Sequence, residues 1–132
     1  DGGVKIKMHL SPAVAMTDIN LMSIAIQNII TNAIKYNGDG VVIDVATGQK
    51  GERVFVSVQD YGRGMSDEEQ SHIFERFYKS DKSRNSEGFG IGLAITKKIL
   101  EINQGTIEVE SSPGHGSMFT LFLPANNTCK TE

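Results

Sequence analysis

A helical stretch that carries two asparagines sets the first constraint on this chain. Met22, Ile26, Ile29 and Ala33 recur at three- and four-residue spacing, which predicts one buried face of a helix over residues 18–36. Asn28 and Asn32 fall inside that span, although an asparagine amide competes for backbone groups and disfavours a helix interior. At roughly 100° per residue they share a stripe with Lys35, beside the buried face. Two amides and an ammonium therefore aim at one place next to the core. An amide oxygen is a hard, neutral ligand suited to Mg²⁺, an ion that takes few protein ligands and leaves the rest to water and phosphate. The ammonium is a point charge for phosphate. The same stripe would serve as a solvated polar face, and this segment alone leaves both readings open.

Two further signals follow in order. Val54-Phe-Val-Ser-Val-Gln59 alternates like a half-buried strand and ends in Asp60-Tyr61-Gly62-Arg63-Gly64. A carboxylate at a strand end can accept a hydrogen bond from the exocyclic amine of a purine, and the glycines let backbone approach a flat ring. Turns of aspartate and glycine are also common where nothing binds. Gly88-Phe89-Gly90-Ile91-Gly92-Leu93 then opens a helical run. Glycines at a helix start expose N–H groups and the positive end of the dipole to an anion. A charged segment precedes them instead of a strand, which excludes a dinucleotide-binding fingerprint.

Together these residues resemble the ATP-binding domain of sensor histidine kinases, a family in the superfamily shared with DNA gyrase, the large heat-shock chaperone and the mismatch-repair ATPases. Asn28-Ile-Ile-Thr-Asn32-Ala-Ile-Lys35-Tyr36 resembles the family's N box, and Asp60-Tyr61-Gly62-Arg63-Gly64 its first glycine box. Ile73-Phe74-Glu75-Arg76-Phe77-Tyr78 resembles the F box, the run from Gly88 to Ile95 the second glycine box, and Gly114-His115-Gly116-Ser117 the last. Five motifs in the right order cover residues 18–124.

Composition agrees with one compact domain. A chain of 132 residues suffices for a two-layer core. A net charge of −3 points to neither nucleic acid nor an anionic membrane. No signal peptide and no apolar run near the roughly 18 residues of a membrane span is read, so a soluble chain is expected. The single Cys129 cannot close an internal disulfide, which fits a reducing compartment. His9, His72 and His115 share no metal-ligand spacing, and Phe74 and Phe77 read as packing residues.

The expected elements are an edge strand over residues 4–10, the main helix with Thr17 or Asp18 as cap, and a hairpin of residues 41–47 and 52–59 turning through 48–51. A short helix starts at Ser66, with Glu69 three residues on. A last helix spans 92–103, and final strands cover 106–110 and 117–123. The expected fold class is α+β: a two-layer α/β sandwich whose mixed, mostly antiparallel sheet of about five strands is covered on one face by three helices. The resemblance implies the same arrangement, a Bergerat-type ATP-binding fold. Residues 1–132 are read as one catalytic domain with frayed ends at 1–3 and 126–132. Residues 79–87, charged and without apolar anchors, are read as a mobile ATP lid.

The resemblance further implies roles. Asn32 would be the Mg²⁺ ligand and Asn28 its partner amide near the phosphates. Lys35 would contact phosphate and Tyr36 flank the adenine. Asp60 would read the adenine amine, with Gly62 and Gly64 making room. Gly88, Gly90 and Gly92, with Leu93 beside them, would end the lid and present N–H groups to phosphate. Lys79, Lys82 and Arg84 would cover the γ-phosphate. Lys79 stands where the family commonly has arginine, and Phe89 replaces a small or hydroxyl residue, so the γ-phosphate contact falls to either Lys79 or Arg84.

In the ATPase branch a glutamate four residues before the Mg²⁺ asparagine activates water. Here that residue is Asn28, which cannot act as a base at neutral pH. The expected activity is therefore that of a protein histidine kinase: Mg-ATP is bound, and its γ-phosphoryl group goes to a histidine on a separate dimerisation and phospho-acceptor domain, with a response regulator downstream. The isolated fragment is expected to be a cytoplasmic monomer, whether or not the parent is membrane-anchored. An anti-sigma-factor-type serine kinase and a non-catalytic nucleotide-sensing module of the same fold are the alternatives.

Overall fold

The computed structural model describes residues 5–10, 19–35, 42–75 and 92–125. In chain order these form β1 (Lys5–Leu10), α1 (Ile19–Lys35), β2 (Val42–Lys50), β3 (Arg53–Asp60), α2 (Asp67–His72), α3 (Gly92–Ile102), β4 (Thr106–Ser111) and β5 (Ser117–Pro124). The five strands make one sheet in the order β1-β2-β3-β5-β4. β1 runs parallel to β2, and the other neighbours are antiparallel. A parallel pair needs a long crossover, and α1 lies in the connection between its strands.

The core lies between one face of the sheet and the helices. Met22, Ala25, Ile29 and Ala33 of α1 and Ile99 and Leu100 of α3 pack with Ile43, Val45, Val54, Val58, Phe119, Leu121 and Leu123 from the strands. Each large aliphatic side chain fully buried here contributes about 2 kcal/mol. That anchoring compensates for the weak helix preference of the asparagines on α1. The apolar stripe is thus as expected, with Ala25 added and Ile26 packed at its margin. Phe74 meets Phe119 edge to face at 6.4 Å, which confirms its packing role. Phe77 lies outside the described residues, as do Thr17 and Asp18.

Local signals account for the element ends. Ser66 caps α2 in a full capping box: its side chain accepts from Glu69 N–H, and the Glu69 carboxylate accepts from Ser66 N–H. α3 ends in a Schellman motif, with Gly105 N–H donating to Leu100 O at 2.6 Å and Gln104 N–H to Glu101 O at 3.1 Å. Gln104 takes the left-handed φ of 66° that glycine usually takes. The glycine is needed one residue later, where a Cβ would overlap the Phe122 carbonyl.

The first hairpin differs from the expectation. β2 continues through Gly48 to Lys50, which pairs with Arg53, so the turn is only Gly51 and Glu52. Gly51 has φ +60°, and a positive φ at the first turn residue suits a two-residue hairpin. Gly48, expected in the turn, sits buried in the strand opposite Phe55.

Candidate functional site

One transverse row of the sheet explains where the functional side chains gather. Ile6, Ile43, Asp60, Ser117 and Ser111 are successive register partners across all five strands. Ile43 faces the helices, so Asp60 does too, at the end of β3. The site therefore has two parts under the helix layer: polar groups on α1 and α3, and the turn that follows β3.

The helical part is held by side chains. Asn28 Nδ2 donates to the Gly92 carbonyl and to Thr96 Oγ1, both at 3.2 Å. Thr96 Oγ1 in turn donates to Gly92 O at 2.9 Å. Thr96 is fully buried, at 0% exposure, so the triangle sits inside the packing of α1 on α3. Asn32 is half-buried one turn further along α1, and its side chain makes no hydrogen bond among the described residues. Leu93 packs against the core. The first turn of α3 carries no acidic residue to offset its positive end. Lys35 closes α1. Tyr36, Lys79, Lys82, Arg84, Gly88 and Gly90 lie outside the described residues, as does the whole 79–87 segment.

The turn part is held by backbone. Asp60 is buried, and its Oδ1 accepts from Gly62 N–H at 3.0 Å and Ser117 N–H at 3.3 Å. Among the described residues no donor meets its Oδ2. Gly64 has φ +72° and Gly116 φ +78°. A Cβ on Gly64 would overlap the Ser112 carbonyl oxygen, and one on Gly116 the Asp60 carbonyl oxygen. Both glycines are thus required by φ and by space. Beneath them, Ser111 Oγ donates to Gly116 O at 2.8 Å and accepts from Met65 N–H at 2.8 Å. Gln70 Nε2 spans Ser111 O at 2.8 Å and Met65 O at 3.2 Å.

On the outer side, the exposed Tyr61 donates its hydroxyl proton to Asp44 Oδ2. That bond, with lesser contributions from desolvation and from the Asp44 charge, raises the Tyr61 phenol above its ordinary value of 10.0. His9 Nε2 stands 3.8 Å from the other Asp44 oxygen. His72 pairs with its neighbour Glu75 at 2.8 Å, an ordinary surface contact.

These groups fit a magnesium nucleotide. Asn28 turns its nitrogen into α3, which leaves its oxygen as the end free to meet a hard cation or a water bound to one. Asp60 leaves Oδ2 as an acceptor for an amine. Among the described residues no cluster of three His, Cys, Asp or Glu side chains could hold a metal. An ion held by amide oxygen, water and phosphate needs none. Sequence reasoning missed Thr96, Ser111, Ser117 and Gln70 as supports. One signal was available: a hydroxyl at a core position of α3, three residues before Ile99.

Residues 17–127 match the family described as histidine kinase-, DNA gyrase B-, and HSP90-like ATPase. The heme sensor protein HssS of Staphylococcus saprophyticus is 48% identical over 101 residues, covering 76% of this chain and 22% of that protein. The sensor-like histidine kinase SenX3 of Mycobacterium tuberculosis is 41% identical over 110 residues, covering 82% of this chain and 27% of that protein. The chain thus spans about a quarter of the length of these curated relatives. Among solved structures, the mycobacterial sensor histidine kinase MprB superposes with a TM-score of 0.85 at 25% identity, covering 92% of this chain and 84% of that one. No helix among the described residues is long and apolar enough to cross a membrane. With its motifs on a Bergerat fold shared with histidine kinase catalytic domains, the chain belongs to the histidine kinase-, DNA gyrase B- and HSP90-like ATPase family.

Proposed function

We propose that this domain binds Mg-ATP and donates the γ-phosphoryl group to a histidine on a separate dimerisation domain of a sensor kinase. The observation that carries the reading is Asn28 itself. The position that would hold a water-activating glutamate in an ATPase carries an amide here, with its nitrogen tied to Gly92 and Thr96. Such a group orients and cannot take a proton at neutral pH. Phosphoryl transfer asks mainly for positioning and charge stabilisation, and the site offers both.

In this reading Asn32 ligates Mg²⁺ and Asn28 presents its oxygen beside it. Lys35, Lys79, Lys82 and Arg84 neutralise the phosphates, Tyr36 flanks the adenine, and Asp60 Oδ2 accepts from its exocyclic amine. Gly62 and Gly64 admit the ring, and Gly88, Gly90 and Gly92 deliver N–H groups at the start of α3. Residues 79–87 close as a lid. The bond from the γ-phosphorus to the bridging oxygen breaks and leaves ADP, while a bond to an imidazole nitrogen of the acceptor forms. The acceptor domain and a downstream response regulator are the partners. One of the solved structures similar to this chain supports the nucleotide: full-length ShkA, in complex with AMPPNP, superposes with a TM-score of 0.80 at 26% identity, covering 94% of this chain and 26% of that one.

Radiolabelled ATP tests the proposal. The domain alone should neither label itself nor release phosphate at a useful rate. Mixed with the histidine-bearing domain of its own parent, it should label that domain at a rate that rises with concentration, since no tether supplies a high effective concentration. Strong hydrolysis by the domain alone would move it to the ATPase branch, and stable label on a partner's serine would favour the serine-kinase reading.

A further inference from the structure

We infer that Thr96 is a positioning residue for the magnesium side of the site: its buried hydroxyl joins the Gly92 carbonyl in holding the nitrogen end of the Asn28 amide inward, so that the oxygen faces the metal. The inference rests on the magnesium–nucleotide reading above. The Gly92 carbonyl can only accept, and the single proton of Thr96 Oγ1 goes to it at 2.9 Å. Whatever meets both groups must therefore be a donor. Asn28 meets both at 3.2 Å, so its nitrogen end lies there.

The consequence concerns the opposite end of the amide. With the nitrogen turned into α3, Asn28 offers lone pairs and no proton on its other side. A phosphate oxygen accepts and does not donate, so Asn28 is a poor partner for it. A magnesium ion, or a water polarised by one, is a good partner. Thr96 and the Gly92 carbonyl together assign Asn28 to the cation and leave the phosphates to the basic residues and the α3 N-terminus. Had the residue at position 96 been apolar, Gly92 O alone would hold the amide nitrogen, by one hydrogen bond instead of two, and the amide would turn away more readily.

Burial makes the hydroxyl effective. Thr96 has 0% exposure and sits in the apolar row of α3 with Ile99 and Leu100. A buried hydroxyl costs free energy unless bonded, and its bond to Gly92 O leaves the oxygen with only lone pairs to offer Asn28.

Thr96→Val and Thr96→Ser separate positioning from packing. Valine keeps the shape and loses the hydroxyl; serine keeps the hydroxyl and loses a methyl. Thr96→Cys, with a weakly bonding thiol, replaces valine should Thr96→Val fail to fold. The first readout is the magnesium advantage, the ratio of ATP affinities with Mg²⁺ and with chelator. The second is solvent exchange of the Asn28 side-chain amide in the nucleotide-free protein. Losing the hydroxyl should cut the magnesium advantage by about fivefold and speed amide exchange by a similar factor, the worth of one ordinary hydrogen bond. Affinity without Mg²⁺ should hold, and serine should restore both readouts even if it melts lower. A Thr96→Val protein with the wild-type magnesium advantage and unchanged amide exchange overturns the assignment. A wild-type protein with no magnesium-dependent ATP binding overturns the nucleotide reading beneath it.

Discussion

Asn28 and Asp60 sit under the same helix layer, yet they are held by different means. Asn28 is fixed by a side chain, Thr96, and by one carbonyl on a neighbouring helix. Asp60 is fixed by backbone N–H groups from its own turn and from β5, over two glycines that tolerate no side chain. The helical part can be altered one side chain at a time, because the fold does not depend on its polar groups. The turn part is built from backbone shape, so changes there reach the fold before they reach the ligand. Substitutions of side chains that face the ligand should therefore cost function, and substitutions of the glycines that shape the turn should cost stability.

The largest effect expected from this contrast is on the turn. Gly116→Ala and Gly64→Ala each force a Cβ onto a carbonyl oxygen at positive φ, and should cost about 3 kcal/mol or more, or prevent folding. Urea denaturation checks this. A loss under about 1 kcal/mol in both would show that the turn relaxes easily and would erase the distinction.

A smaller effect on stability, but a sharper one on function, is expected at Asp60. Asn keeps Oδ1 for the two N–H donors and places an amide nitrogen at the Oδ2 position, which turns an acceptor into a donor. Wild-type protein should prefer ATP to GTP strongly, and Asp60→Asn should narrow that gap by about tenfold or more. Competition of the two nucleotides against a fluorescent ATP analogue measures it. Equal competition in the wild type would remove Asp60 from the base-reading role.

The smallest effect belongs to Tyr61, whose hydroxyl binds Asp44 on the exposed side of the same turn. The folded-state phenol is raised above 10.0, so the neutral form is favoured by folding. That contribution is fully present below the unfolded value and is lost as pH rises through the folded one. The stability gap between wild type and Tyr61→Phe should stay constant from about pH 7 to 9 and shrink above about pH 10. Urea midpoints across that range test the sign. A gap that widens with pH would contradict the bond.

Much of the fold was legible because it rests on periodicity. The stripe of α1, the alternation of β3 and the Ser66–Glu69 box are local patterns, and each has its counterpart in the structure. Gly48 misled because glycine reads as a turn wherever it occurs, while here it continues a strand across from Phe55. The candidate ligands were legible through motif order. Their supports were not, because they are distant in sequence: Thr96 is 68 residues from Asn28, and the Ser117 N–H is 57 from Asp60. Only the register of β3 on β5, and the packing of α3 on α1, bring them together.

The central claim, a magnesium–nucleotide site with its metal end on α1, is tested most directly by calorimetry of ATP binding to wild type and Asn32→Ala, with and without Mg²⁺. The half-buried Asn32 side chain makes no hydrogen bond among the described residues, and alanine is the better helix former, so the variant should keep its melting temperature. The account predicts that it loses most of the magnesium-dependent affinity while ATP binding in chelator stays near the wild-type value. A folded Asn32→Ala protein with the full magnesium-dependent affinity would contradict it.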